Sequence, residues 1–248
     1  MLNNQTLDKL RALKLTGMAD ALVEQLTAPP SELSFEEQLA VLIEREWITR
    51  ENRRLKRRLS QAKLKENACV EDIDYTHPRS LKKSVIADLS SCNWVKSHLN
   101  LLITGPTGSG KTFLACALSH KACLQGLTSK YYRLPRLWNE LLIAKANGTY
   151  QKWLNQLSKI DVLILDDWGL IQPNEQQRQD LLEILEDRYK QRSTIVTSQL
   201  PSPHWHQHLN DETLADAILD RLMHNAIKIE LRGESMRKND NALQTVPS

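Results

Sequence analysis

The feature that most constrains this chain is a glycine-rich octapeptide between a short apolar run and a segment rich in Ala and Leu. The octapeptide reads GPTGSGKT over residues 105–112 and matches the pattern G-x-x-x-x-G-K-[ST]. The apolar run Leu101 to Thr104 is typical of a buried strand, and Lys111 to Leu124 is typical of a helix. Strand, glycine-rich loop and helix in this order predict a phosphate-binding loop.

The residue types of this loop suit a bound triphosphate. Its glycines permit backbone conformations in which successive N–H groups point at phosphate oxygens, and the start of the helix adds unpaired N–H groups. Lys111 is predicted to contact the β- and γ-phosphates, and Thr112 to offer its hydroxyl to Mg²⁺. We therefore predict nucleotide binding by Gly105, Pro106, Thr107, Gly108, Ser109, Gly110, Lys111 and Thr112.

A second apolar run, residues 162–165, ends in two carboxylates, Asp166 and Asp167. Ligands bind at the carboxyl ends of parallel strands, so Asp166 is predicted to hold Mg²⁺ and Asp167 to orient or polarise the attacking water. A further apolar strand, Thr194 to Gln199, also ends in polar residues. There, Ser198 or Gln199 is a candidate contact for the γ-phosphate or the water, and the alternative is an ordinary polar strand end.

Length and composition place the chain in the soluble globular class. Its 248 residues suit one large domain with a small appendage. No apolar run approaches the roughly 20 residues that a membrane span needs, and the N-terminus lacks the basic-then-apolar order of a secretory signal. The four cysteines have no C-x-x-C spacing and are interpreted as reduced thiols. These observations predict a cytoplasmic protein without a membrane partner.

The first 66 residues are predicted to be all helical. A capping box over Ser34 to Glu37 begins a helix that is expected to run to about Lys65. The first half of this helix carries an apolar face made of Leu39, Leu42, Ile43 and Trp47.

The second half of the same helix is strongly basic. Between Glu44 and Lys65 there are nine basic and three acidic residues, although the whole chain carries a net charge of only +3. One interpretation is a solvated helix face. The other is a helix whose cations neutralise DNA phosphates without reading the bases, and the lack of acidic residues from Asn52 onward favours it. The candidate DNA contacts are Arg50, Arg53, Arg54, Lys56, Arg57 and Arg58.

The remaining chain is predicted to contain a connector, a nucleotide-binding domain and a tail. The connector, 67–98, holds a short extended piece over Val70 to Tyr75 and a weak helix over Leu81 to Leu89. The segment 201–224 is predicted to be helix, and Ile227 to Leu231 the last strand. The predicted domains are residues 1–66, 67–98, 99–238 and a polar tail, 239–248.

Several segments together resemble the AAA+ family, and more narrowly the IstB-type transposition helper ATPases and the related DnaC-type helicase loaders. The N-terminal stretch LRALKLTGMADAL resembles the helical domain of IstB-type proteins. The other segments are GPTGSGKT, DVLILDDWG, TSQLP, DAILDRL and GESMR. The resemblance covers about residues 5–240. It implies an α/β P-loop core with a parallel sheet in the order 5-1-4-3-2, an N-terminal helical domain, and little or no C-terminal lid.

The resemblance also implies roles for residues that the spacing alone leaves open. Asp166 and Asp167 fall at the metal-holding and catalytic positions, where the usual pair is Asp-Glu. Gln199 falls at the first sensor. Arg221 falls at the arginine finger, which acts on ATP held by a neighbouring subunit, and Arg237 falls at the second sensor. The alternative for each arginine is a surface salt bridge.

The function that the resemblance implies is an ATP-dependent, Mg²⁺-requiring ATPase. It would form a helical oligomer on duplex DNA, remodel that DNA, and recruit or activate a transposase for DNA transposition. A replicative helicase loader acting on single-stranded DNA is the main alternative. A third interpretation is a scaffold that ATP switches without hydrolysis.

Overall fold

The computed structural model describes residues 2–28, 33–233 and 235–236. Internal contacts divide the chain into two compact units, one up to Arg57 and one from Arg58 onward. Among the described residues, no helix combines the length and the apolar character needed to cross a bilayer.

The first unit is helical. Its elements are α1 (Leu2–Ala12), α2 (Thr16–Thr27) and most of α3 (Phe35–Ala62), which continues into the second unit. The predicted capping box is present: the Ser34 N–H donates to Glu37 Oε2 at 2.7 Å, and the Glu37 N–H donates to Ser34 Oγ at 3.3 Å. These bonds satisfy N–H groups that the first helical turn leaves unpaired.

Helix α3 differs from its prediction in length and in the burial of its apolar face. It ends at Ala62 rather than near Lys65, because Lys63 takes a left-handed conformation with φ 49° that a helix cannot continue. On the predicted apolar face, Ile43 is 53% exposed and Trp47 is 62% exposed.

The second unit is built on a five-stranded parallel sheet in the order β2-β3-β4-β1-β5, which confirms the predicted α/β fold and strand order. Its strands are β1 (Asn100–Thr104), β2 (Ser129–Arg133), β3 (Val162–Trp168), β4 (Ser193–Ser198) and β5 (Ala226–Glu230). Its helices are α4 (Lys83–Ser90), α5 (Asn93–Lys96), α6 (Lys111–Leu124), α7 (Leu134–Ala146), α8 (Tyr150–Leu157), α9 (Glu175–Arg188), α10 (Trp205–Leu209) and α11 (Glu212–Met223).

Both faces of the sheet are covered, as the continuous apolar runs of its strands require. Leu101 and Ile103 pack with α4, α5 and α6 on one face, whereas Leu102 packs with α7 to α11 on the other. The same alternation places Leu163 and Ile164 on opposite faces. Because the strands are parallel, the polar residues at their carboxyl ends gather along one edge of the sheet.

Two sequence predictions were wrong in detail. The segment predicted as extended from Val70 begins with a 3₁₀ turn, Val70–Asp72. The helix predicted over 201–224 is a 3₁₀ turn, Ser202–His204, followed by α10 and α11. Asn210 separates these two helices with a left-handed φ of 51°, and the Asp211 side chain caps α11 by accepting the Leu214 N–H at 2.9 Å.

Arg188, at the end of α9, is a buried cation bonded mainly to main-chain oxygens. Its guanidinium donates to the carbonyl oxygens of Leu157, Ile160 and Ser193 at 2.6–2.8 Å, and to Thr194 Oγ1 at 3.2 Å. Burial lowers the pKa of Arg188 to about 9. The side chain thereby ties the ends of α8 and α9 to the starts of β3 and β4.

We predict that Arg188→Met lowers the free energy of unfolding by about 3 kcal/mol, because it leaves several buried carbonyl groups without a donor. Urea unfolding followed by tryptophan fluorescence measures this change. Arg136→Met is the control: its side chain is 76% exposed beside Glu140, and a loss below about 0.5 kcal/mol is expected. Equal losses in the two variants would contradict the structural role of Arg188.

Candidate functional site

The predicted phosphate-binding loop joins β1 to α6 and lines a cavity of about 500 Å³ at the carboxyl ends of the strands. The cavity also collects residues from the connector, from β2 and β3, and from the segment after β5. Its lining includes Lys65, Asp72, Asp74, Arg79, Thr107, Gly108, Gly110, Lys111, Thr112, Arg133, Asp167, Gln199 and Met236.

Residues from distant parts of the chain pack so closely against the loop that two of its positions have no room for a side chain. Gly108 and Gly110 have φ values of 79° and 88°, in the left-handed region that favours glycine. A Cβ on Gly108 would collide with the Ser235 side chain, and one on Gly110 would collide with the Arg79 guanidinium. The Met236 N–H also donates to the Gly108 carbonyl at 3.0 Å, so the segment after β5 holds the loop from one side.

Arg79 supports the loop from the connector and is only 3% exposed. Its Nη1 donates to the Ser109 carbonyl at 3.1 Å, and its Nη2 donates to the Asp74 carbonyl at 2.8 Å. Burial lowers the pKa of Arg79. The Lys111 ammonium lies at the same loop and donates to the carbonyls of Gly105 and Pro106 at 2.9 and 2.7 Å.

Asp166, at the end of β3, is fully buried and accepts three hydroxyl groups. Thr112 Oγ1 donates to it at 2.9 Å, Tyr131 OH donates at 2.6 Å, and the Thr197 hydroxyl makes the third bond. Burial and then the bond to Asp166 raise the pKa of Tyr131. The Asp166 carboxylate beside the Thr112 hydroxyl is a set of oxygen donors that suits Mg²⁺.

The next residue, Asp167, lies at an irregularity in the sheet. The register between β3 and β4 shifts between Leu165 and Trp168, and Asp167 has a φ of 64°. A bulge of this kind turns a side chain away from the regular alternation of the strand. The Asp167 carboxylate faces the cavity, where Arg133 Nε donates to it, and this bond raises the pKa of Arg133.

The two polar residues at the end of β4 lie in different surroundings. Gln199 lines the cavity, and its Oε1 accepts the Thr107 hydroxyl at 2.7 Å. Ser198 is fully buried and donates instead to the Trp168 carbonyl at 2.7 Å. The side chain that reaches the phosphate loop is therefore Gln199.

Of the two arginines predicted as finger and sensor, the structure describes only Arg221, which does not line this cavity. Arg221 lies on α11, where it forms an ion pair with Glu186 of α9 and donates to the Ala217 carbonyl at 2.8 Å. Arg237 lies outside the described residues.

The six candidate DNA contacts differ in whether they bond to neighbouring groups in the structure. Lys56 and Arg57 are exposed. The other four have partners: Arg50 with Glu46 at 2.7 Å, Arg53 with the Thr16 hydroxyl, Arg54 with Glu51 at 2.6 Å, and Arg58 with the Cys123 carbonyl at 3.1 Å.

Four residues at the site were not predicted from the sequence: Arg79, Tyr131, Arg133 and Thr197. Tyr131 and Arg133 had a signal that could have found them. They are two apart on β2, and β2 is the predicted neighbour of β3, so residues of one face of β2 lie beside the paired carboxylates. Arg79 had no comparable signal, because the connector around it lacks regular structure.

Comparison with known proteins identifies the family. The family described as IstB-like ATP binding protein matches residues 8–244. An insertion sequence ATP-binding protein of Sinorhizobium fredii, y4pL, is 51% identical over 240 residues, covering 96% of this chain and 98% of that protein. The insertion sequence IS1162 ATP-binding protein of Pseudomonas fluorescens is 52% identical over 204 residues, covering 82% of this chain and 88% of that protein.

Solved structures share the fold over about two thirds of the chain. A crystal structure of DnaI matches with a TM-score of 0.57 at 24% identity, covering 66% of this chain and 91% of that one. A crystal structure of the DnaC helicase loader matches with a TM-score of 0.55 at 19% identity, covering 66% and 97%. The solved structures show a shared fold, and the family match with the relatives above establishes that the chain belongs to the IstB-like ATP binding protein family.

Proposed function

We propose that this chain is a Mg²⁺-dependent ATPase that assembles as a helical oligomer on duplex DNA, remodels that DNA and recruits a transposase. The observation that carries the proposal is the arrangement around one cavity: the Lys111 ammonium, the Thr112–Asp166 pair and the Asp167 carboxylate lie together at the carboxyl ends of β1 and β3. Positive charge, oxygen donors for a metal and a further carboxylate to orient water are the parts that phosphoryl transfer to water requires.

The residues of the cavity have distinct roles in this proposal. Lys111 and the loop amides bind the phosphates. Thr112 and Asp166 hold Mg²⁺, which when bound neutralises charge that develops on the phosphate oxygens. Asp167 orients the attacking water, and Gln199 contacts the terminal phosphate or that water. Before Asp167 can act, its carboxylate must leave Arg133, which binds it in this structure.

The position of Arg221 supports the oligomer in this proposal. It lies on α11 outside the cavity of its own subunit, so as a finger it would have to act on ATP bound by a neighbour. A finger supplied by another subunit makes each site incomplete without that subunit. The head-to-tail contact that results generates a helix when its rotation does not close into a ring.

The DNA and transposase parts of the proposal rest on charge and on relatives. The exposed cations of α3 match a sequence-independent duplex contact through phosphates. The named relatives are insertion sequence proteins, and from this we propose a transposase as the protein partner. The likeness in fold to the DnaC helicase loader keeps a helicase-loading role, with preference for single-stranded DNA, as the second candidate.

The trans arrangement can be tested by mixing two inactive variants. Lys111→Ala is expected to lose nucleotide binding, and Arg221→Ala to bind ATP but to hydrolyse it at least about 100-fold more slowly. In an equimolar mixture, about a quarter of the interfaces pair an intact site with an intact finger, so ATPase activity should reappear.

Glu186→Gln is the control for this experiment, because it removes the ion-pair partner of Arg221 and keeps the guanidinium. It should retain activity. If Glu186→Gln loses as much activity as Arg221→Ala, and the mixture stays inactive, Arg221 has only a structural role and the finger assignment is wrong.

We predict that Tyr131→Phe raises the Mg²⁺ concentration for half-maximal ATP hydrolysis about 10-fold, because Asp166 loses a hydrogen bond that orients it. ATP affinity measured with a chelator present should stay unchanged. Tyr132→Phe on the same strand is the control, because the Tyr132 side chain packs in the core on the opposite face of the sheet. A normal Mg²⁺ requirement in Tyr131→Phe would refute the positioning role.

Replacing Lys56 and Arg57 together with Ala should weaken duplex DNA binding and lower the slope of log affinity against log salt by about 1.8. Lys9→Ala with Arg11→Ala removes the same charge from exposed positions outside the basic segment, and should leave the slope unchanged. Fluorescence anisotropy with duplex and single-stranded oligonucleotides measures both. Tighter binding of single strands would favour the helicase-loading function.

A further inference from the structure

A second cavity, of about 320 Å³, lies at the other end of the edge strand β2. It is formed by the last turn of α3, the start of β2, the helix α8 and the residues that precede β3. Its lining includes Arg58, Gln61, Lys130, Trp153, Gln156 and Lys159. The volume falls in the range of sites that bind small ligands or single groups of larger ones.

The charge of this cavity is one-sided. Three cations, Arg58, Lys130 and Lys159, line it, and none of its described lining residues is acidic. Lys130 is half-buried, and burial followed by repulsion from Lys63 lowers its pKa, against a smaller attraction from Glu140. A partly desolvated cation beside two further cations, with no carboxylate in the described lining, is a site that a bound anion stabilises.

The remaining wall is aromatic. Trp153 of α8 is half-buried, and its ring lies 5.7 Å from that of Tyr132, which packs it in place. Lys130 lies 5.7 Å from the centre of the Tyr132 ring, and its ammonium donates to the Gln61 carbonyl at 3.0 Å. These contacts hold Lys130 and the indole beside Tyr132, so an anion that carries an apolar group beside it would fit.

Arg58 belongs both to the lining of this cavity and to the basic segment of α3. It is the last of the six predicted DNA contacts, and its Nε is held by the Cys123 carbonyl, which leaves the outer guanidinium nitrogens for a ligand. A DNA strand supplies the required chemistry, because each phosphate is flanked by a deoxyribose with an apolar face. Arg58 was predicted from the sequence, whereas Lys130, Lys159 and Trp153 were not.

We propose that this cavity binds one backbone phosphate of the duplex through Arg58, Lys130 and Lys159, with Trp153 packed against the adjoining deoxyribose. This inference rests on the DNA binding proposed above. It adds a DNA contact on the second unit to the contacts predicted at Lys56 and Arg57.

The first test is the salt dependence of duplex binding. Lys130→Gln with Lys159→Gln should lower the slope of log affinity against log salt by about 0.9, the value for one phosphate contact. Lys130→Arg should keep the wild-type slope. Lys96→Gln with Lys228→Gln removes two charges from exposed positions outside the cavity and should also keep it. Unchanged ATP affinity in each variant shows that the fold is intact.

The second test places a photo-crosslinking amino acid, p-benzoylphenylalanine, in the cavity wall at Gln156 and, as a control, at the exposed Gln191. Duplex DNA should crosslink at position 156 and not at 191. Inorganic phosphate added at constant ionic strength should leave the crosslink unchanged. If position 156 gives no crosslink, and inorganic phosphate binds the wild-type chain but not the variant with Lys130→Gln and Lys159→Gln, the cavity is a site for free phosphate and the DNA assignment is overturned.

The two proposals fail in different ways. A wild-type chain that does not bind duplex DNA at low salt overturns both the DNA function and this contact. A wild-type chain that binds duplex DNA, combined with an unchanged slope in the cavity variant and no crosslink at position 156, overturns the cavity assignment alone.

Discussion

The buried carboxylate of Asp166 is the interaction on which the site depends. A carboxylate removed from water is costly unless it is hydrogen-bonded, and here hydroxyls from three other elements supply the bonds: Thr112 from α6, Tyr131 from β2 and Thr197 from β4. These bonds join the first turn after the phosphate loop to three neighbouring strands. The position of α6 against the sheet is therefore fixed at the point where the nucleotide phosphates and the metal would meet, and the loop geometry follows from it.

The edge strand β2 shows how one short segment contributes to two surfaces. Its side chains alternate, so Tyr131 and Arg133 reach the carboxylates at the end of β3, whereas Lys130 and Tyr132 face the second cavity. A strand inside the sheet has both faces buried in the core and cannot do this. Because β2 is an edge strand with its own crossover helices, α7 and α8, the polar residues at 130 and 133 remain accessible.

The parts predictable from the sequence are those whose signals are local. The phosphate loop and the strand that carries Asp166 and Asp167 follow from contiguous motifs, and the bounds Lys111–Leu124 and Tyr150–Leu157 match the structure. The sheet order comes from the family resemblance that these motifs carry. The parts that could not be predicted depend on contacts between distant residues. Arg79 reaches the loop from an irregular connector, and the break at Asn210 depends on one left-handed residue that carries no periodic signal.

The loop glycines show that a sequence motif predicts backbone conformations but not the tertiary contacts around them. The pattern predicts that Gly108 and Gly110 need unusual backbone conformations, and their positive φ values agree. It does not reveal that Ser235 and Arg79 occupy the space where side chains would stand. The connector and the segment after β5 therefore meet at the loop, and the Arg232 N–H donates to the Arg79 carbonyl at 3.1 Å to join them. A loop that moves to accept phosphates must move against both segments, so its conformation is coupled to parts of the chain that the motif does not include.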